Sequence, residues 1–122
     1  MKLEEISELI FQAVPEFQSF NQEDLDEGFY YSFLDDFGIF TREAIVANKP
    51  YAIKCLDFIN NIVNKFQDDE DFMEKMQVSV LETLTDFAVT QRAAMKHFTG
   101  NCLRIFTGLL TGGYFNDLTN IP

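Results

Sequence analysis

Apolar residues recur three and four positions apart along most of the chain, which is the spacing of amphipathic α-helices. No segment shows the sustained alternation that is typical of a β-strand. The pattern predicts five helices, over residues 3–14, 25–47, 50–66, 70–88 and 103–110. Residues 89–98 either extend the fourth helix or begin another. We therefore predict an all-α fold, with residues 1–122 forming a single domain and a tail that is loose from about residue 113.

The third and fourth helices carry the clearest apolar stripes and are joined by a short acidic turn. This arrangement predicts an antiparallel hairpin, similar to one HEAT unit, at the centre of a compact bundle. Asp68 or Asp69 is expected to cap the fourth helix, because its side chain can accept hydrogen bonds from the first backbone amides. In the second helix, Phe29, Phe33 and Phe37 are expected to face the core.

The composition favours a well-packed interior that needs no metal or disulfide. Apolar residues make up 47% of the chain, and 14 of its 122 residues are Phe. Cys55 and Cys102 both lie in apolar surroundings, so buried free thiols are predicted instead of a disulfide. Together with an N-terminus that does not resemble a signal peptide, they lead us to expect a cytoplasmic protein without a membrane-spanning segment.

Charge is distributed unevenly along the chain. The first 36 residues hold ten carboxylates and one lysine, a net charge of −9, whereas residues 87–122 carry +2. The whole chain has a net charge of −11, which argues against direct binding to nucleic acid or to anionic membranes. It favours a basic protein partner, although an acidic surface can also serve solubility alone.

Catalytic and metal-binding patterns are absent from the sequence. His97 has Ala93 and Ala94 at the preceding helical positions, so no ligand set forms around it. The acidic stretch that begins at Glu23 fails as a calcium loop, since Leu25 occupies a position that needs an oxygen ligand. We therefore predict a protein that is not an enzyme and that has no metal and no cofactor.

One acidic segment contains more aromatic residues than a single core-facing stripe can use. If its phenylalanines face the core, Tyr30 and Tyr31 lie partly outside it, among carboxylates that would steer a basic partner. The alternative is that the two tyrosines merely close the edge of the core. The predicted partner-binding residues are Glu23, Asp24, Asp26, Glu27, Tyr30, Tyr31, Asp35 and Asp36.

Part of the predicted hairpin resembles a known family. The stretch 52–59, the acidic turn with residues 70–73, and the run from Val78 to Leu84 are similar to the central hairpin of small acidic immunity proteins from bacterial polymorphic-toxin systems. The resemblance covers about a third of the chain. It implies an all-helical cytoplasmic protein that binds and neutralises a cognate, secreted toxin domain and has no catalytic residues. The segment from Phe98 to Phe115 is more apolar and richer in glycine than this family would suggest.

Three functions therefore remain open at this point. The first is an immunity-type binding protein that occludes a basic surface of its toxin. The second is an acidic DNA mimic that inhibits a nucleic-acid-binding enzyme, although the fall of negative charge toward the C-terminus argues against it. The third is a non-enzymatic scaffolding or small-ligand-binding helical domain with a merely soluble acidic surface.

Overall fold

The protein is all-α in the computed structural model, which describes residues 1–19 and 26–111. These residues contain no β-strand and form six α-helices, one more than the apolar pattern predicts. The expectation of a loose tail from about residue 113 lies outside the described residues. The helices are α1 (Leu3–Ala13), α2 (Tyr30–Val46), α3 (Ala52–Lys65), α4 (Glu70–Met76), α5 (Ala88–His97) and α6 (Gly100–Thr111).

Several helix ends coincide with residues that stop or cap a helix, such as proline and aspartate. α1 ends two residues before Pro15, and a short 3₁₀ helix (Pro15–Ser19) follows it. Asp69, one of the two predicted candidates, is the residue that caps α4. Its Oδ1 accepts a hydrogen bond from the Phe72 amide at 3.1 Å. α2 begins at Tyr30, later than predicted, after a 3₁₀ turn over Glu27–Phe29.

The structure does not confirm a HEAT-like hairpin. Its predicted second helix, residues 70–88, consists of α4, a π-helical turn (Gln77–Leu81) and a 3₁₀ turn (Thr83–Thr85). The helical path ends at Phe87, whose backbone is extended, and residues 88–97 form a separate helix. The break is stabilised by side chains from that next helix. Thr90 Oγ1 donates to the Leu84 carbonyl at 2.8 Å, and Gln91 Nε2 donates to the Thr85 carbonyl at 3.0 Å.

The core is a continuous set of buried apolar side chains contributed by all six helices and by the 3₁₀ helix after α1. Phe17 is fully buried and packs edge-on against Phe33, Phe37 and Phe40, with ring centroids 5.2–5.7 Å apart. Such edge-to-face contacts add stability beyond the burial of apolar area. Phe33 and Phe37 are buried as predicted, but the prediction for Phe29 is wrong. Its side chain lies in the 3₁₀ turn before α2 and is 48% exposed.

The joint between α5 and α6 is held by asparagines of α3. Asn64 Oδ1 accepts a hydrogen bond from the Cys102 amide at 2.9 Å, which caps α6 from outside that helix. Asn64 Nδ2 donates to the Thr99 carbonyl at 3.1 Å, and Asn60 Oδ1 accepts from the Thr99 amide at 2.9 Å. Gly100, with φ of +56°, makes the turn between the helices.

Cys55 and Cys102 are buried free thiols, as predicted. Burial raises the pKa of the Cys55 thiol to about 11 and that of Cys102 to about 12. Within the described parts of the chain, none of the helices combines the length and the apolar character that a membrane crossing requires.

Candidate partner-binding surface

Six of the eight predicted partner-binding residues lie at the start of α2 or in the turn that precedes it. They occupy positions 26–36, and Glu23 and Asp24 lie outside the described residues. Four of the six are exposed, whereas Tyr30 is buried and Asp36 is half-buried. Several of them also make contacts that hold the fold together.

Asp26 and Glu27 both accept hydrogen bonds from backbone amides. Asp26 Oδ1 accepts from the Gly28 amide at 2.8 Å and so caps the 3₁₀ turn. Glu27 Oε1 accepts from the Leu3 amide at 3.0 Å and therefore connects the start of α1 to the start of α2. Carboxylates at helix N-termini also interact favourably with the helix dipole. Their backbone contacts give both acids a structural role.

Tyr30 is buried, so the prediction that it lies partly outside the core is wrong. Its side chain is 3% exposed and its hydroxyl donates a hydrogen bond to the Met1 carbonyl at 3.0 Å. Burial raises the pKa of Tyr30 well above its ordinary value, and the nearby carboxylates of Glu27 and Asp69 raise it further. Tyr30 therefore stays protonated and closes the edge of the core, which was the alternative that the sequence left open.

Lys75 of α4 lies against both tyrosines. Its Nζ is 4.8 Å from the centre of the Tyr30 ring and 5.8 Å from that of Tyr31, within the range of cation–π contacts. The same ammonium group forms an ion pair with Asp71, one helical turn earlier, and this contact raises the pKa of Lys75. Lys75 thus connects α4 to the first turn of α2.

Tyr31 and Asp35 are exposed predicted residues that do not bind the backbone of a helix start, whereas Asp26 and Glu27, also exposed, bind backbone amides. Tyr31 is 42% exposed and Asp35 is exposed, whereas Asp36 is half-buried. Ile39, four residues after Asp35, continues the same stripe of α2 and is 41% exposed. We call this stripe, together with the adjoining residues of the α4 segment, the Tyr31 surface. Its members are Tyr31, Asp35, Ile39, Asp71, Lys75 and Val78.

Val78 joins this surface through the residue that follows it. The Ser79 hydroxyl donates to the Tyr31 carbonyl at 3.5 Å, which places the π-helical turn beside the first turn of α2. Val78 is 47% exposed on the same side as Lys75, three residues before it. The surface therefore combines exposed apolar side chains with carboxylates, and protein–protein interfaces likewise combine apolar and polar area.

Reasoning from the sequence missed Ile39, Asp71, Lys75 and Val78. The i,i+4 spacing of Asp71 and Lys75 indicates an ion pair on one helix face. No local signal indicates that α4 packs beside Tyr31, because that contact joins residues more than forty positions apart.

The described residues hold no group of three or more His, Cys, Asp or Glu side chains placed to bind a metal ion. No protein-family model matches the chain, and comparisons with curated proteins and with solved structures likewise give no match.

Proposed function

We propose that this chain is a non-catalytic binding protein that neutralises a cognate bacterial toxin by covering a basic surface on it. The Tyr31 surface would be the centre of the interface. The carboxylates of the N-terminal third would attract the partner, and Tyr31 would be the aromatic residue buried on binding. The choice of a toxin as the partner rests on the resemblance of part of the sequence, within residues 52–84, to immunity proteins.

The observation that carries the proposal is the exposure of three large apolar side chains beside the exposed carboxylate of Asp35. Tyr31, Ile39 and Val78 are each more than 40% exposed. Asp35 is exposed beside them, while Lys75, the cation of this surface, is paired with Asp71. Apolar side chains interspersed with a carboxylate suit a partner that offers an apolar contact within a basic surface.

Co-expression tests the biological part of the proposal. The partner to try is the variable C-terminal domain of a large secreted protein encoded immediately upstream, expressed in a bacterial host with and without this chain. We expect the wild-type chain to restore growth. Failure to restore growth, with both proteins present in soluble form, would argue against the immunity role for that pair.

Substitutions at the Tyr31 surface test the site. Tyr31→Ala is expected to weaken binding by about tenfold or more, since buried aromatic anchors commonly contribute over 1 kcal/mol. Asp35→Asn is expected mainly to slow association. Asp57→Asn, an exposed acid on α3, is the matched control and should leave both rates unchanged. Glu27 is unsuitable for this purpose because its substitution would also remove the contact with Leu3.

Salt dependence tests the electrostatic part separately. Raising the ionic strength until the Debye length falls from about 30 Å to about 8 Å should slow association by at least tenfold. An association rate that does not change with salt would contradict steering by the carboxylates. Binding that is unaffected by Tyr31→Ala would instead place the interface elsewhere on the molecule.

A further inference from the structure

A groove of about 420 Å³ lies between the corner that joins α2 to α3 and the side of α5. Its floor is apolar and is formed by Ile45, Ala52, Leu56 and Ala93. This volume falls within the range of small-molecule sites in proteins, which are mostly apolar concavities with a few polar groups at fixed positions. The groove therefore has the size and floor of a ligand site.

The ionisable side chains that line the groove are Lys49 and His97, and none of its lining residues is a carboxylate. The chain as a whole has 20 acidic and nine basic residues. The first turn of α3, which borders the groove, also lacks an acid, and a helix N-terminus carries a partial positive charge. The charge of the groove is thus opposite to that of the protein as a whole.

The polar edge of the groove is held by the backbone of the α2–α3 corner. Asn48 adopts a left-handed conformation with φ of +53°, and its amide donates to the Ile45 carbonyl at 3.0 Å. The Lys49 amide donates to the Ala44 carbonyl at 2.8 Å, and the Lys49 carbonyl accepts from the Ala52 amide at 3.1 Å. This pattern terminates α2 in the manner of a Schellman motif. Lys49 therefore extends from a fixed backbone, and a ligand would not have to order the corner.

We propose that this groove binds a small amphipathic carboxylate, with the apolar part on the floor and the carboxylate at Lys49 and His97. A carboxylate can accept hydrogen bonds from the Lys49 ammonium and from an imidazole N–H. The site is separate from the Tyr31 surface. Ile45 follows Tyr31 by fourteen residues on the same helix, or about 21 Å along its axis. The two proposals can therefore fail independently.

Titration with octanoate, followed by amide chemical shifts of the ¹⁵N-labelled protein, tests this site. Saturable shifts are expected at Asn48, Ile53 and Ala93. Octanamide should bind more weakly because it lacks the charge, and octylamine should bind more weakly still because it is repelled. No saturable shift with octanoate, or equal binding of octylamine, would overturn the proposal.

Three variants separate the roles of charge and floor. Lys49→Gln is expected to weaken octanoate binding about fivefold without changing octanamide binding. Ala93→Leu fills part of the floor and should weaken both ligands by a similar factor. Lys65→Gln removes an exposed lysine that does not line this groove and should change neither. Octanoate binding that survives both Lys49→Gln and Ala93→Leu in folded protein would refute the assignment.

Discussion

Replacing Gly38 by alanine tests whether the close approach of α2 to the π-helical turn is real. Gly38 is buried in the middle of α2. Considered by helix propensity alone, alanine at this position should stabilise the protein by about 1 kcal/mol, because glycine loses more backbone entropy when it enters a helix. The packing around Gly38 predicts the opposite sign.

A Cβ atom at position 38 would lie 2.5 Å from the Ser79 carbonyl oxygen and 3.2 Å from Val80 Cα. Both contacts are to backbone, so no side-chain rotation can relieve them, and α2 would have to move away from the π-helical turn. Overpacking of this kind costs about 1–3 kcal/mol, and a backbone contact belongs at the upper end. After the gain in propensity is subtracted, we expect Gly38→Ala to lower the free energy of unfolding by about 2 kcal/mol.

Gly108→Ala is the matched control, since Gly108 also lies within a helix and a Cβ there would meet no atom within 4 Å. Its free energy of unfolding should rise by about 0.5–1 kcal/mol. Urea unfolding followed by far-UV circular dichroism measures both changes. If Gly38→Ala proved as stabilising as Gly108→Ala, α2 could not lie in backbone contact with the π-helical turn at this position.

Two further predictions concern the α5–α6 joint and the thiols. Asn64→Ala should lower the free energy of unfolding by about 2 kcal/mol, because the Cys102 amide loses its hydrogen-bond acceptor. Asn61→Ala, at an exposed position of the same helix, is the control and should change the free energy of unfolding by less than about 0.5 kcal/mol. Urea unfolding measures both. The folded pKa values of Cys55 and Cys102, about 11 and 12, exceed the ordinary value near 9, so the stability that the neutral thiols contribute is complete below pH 9 and is lost as the pH rises toward those values. In that range, the ionisation of each thiol should lower the free energy of unfolding by about 1.4 kcal/mol per pH unit. Urea unfolding at a series of alkaline pH values measures this fall. A urea midpoint that stays constant from pH 8 to beyond pH 10 would contradict the burial of the thiols.

The helices that the sequence predicts well are those whose signals are local. α1 and α3 follow apolar stripes of period 3.6, and the cap of α4 follows from one aspartate at the right position. The interruption of residues 70–88 could not be predicted in this way. It depends on Thr90 and Gln91, which bind carbonyl groups six residues earlier, and their side chains carry no pattern that distinguishes a helix start from a helix interior.

The candidate site was predicted in composition more accurately than in arrangement. The sequence indicates correctly that Tyr31 and Asp35 lie outside the core, since helical spacing from Phe33 and Phe37 determines that. The same spacing puts Tyr30, three residues before Phe33 and seven before Phe37, on the core side. The sequence could not indicate the hydrogen bond from Tyr30 to the Met1 carbonyl, 29 residues away. It also could not indicate that Lys75 would pack on the tyrosines, because both contacts depend on how separate helices pack.

The uneven charge of the chain has one use that the structure shows, in helix starts, and one that we propose, in recognition, and the two can be separated by residue. Asp26, Glu27 and Asp69 accept hydrogen bonds from amides at the starts of three helical segments, so their charges stabilise the fold whatever the protein binds. Asp35 lies in the second turn of α2, away from any helix start, and is exposed beside Tyr31. Neutralising acids of the first group would change folding and binding together. Removal of the Asp35 carboxylate should therefore report on recognition without disturbing a helix cap.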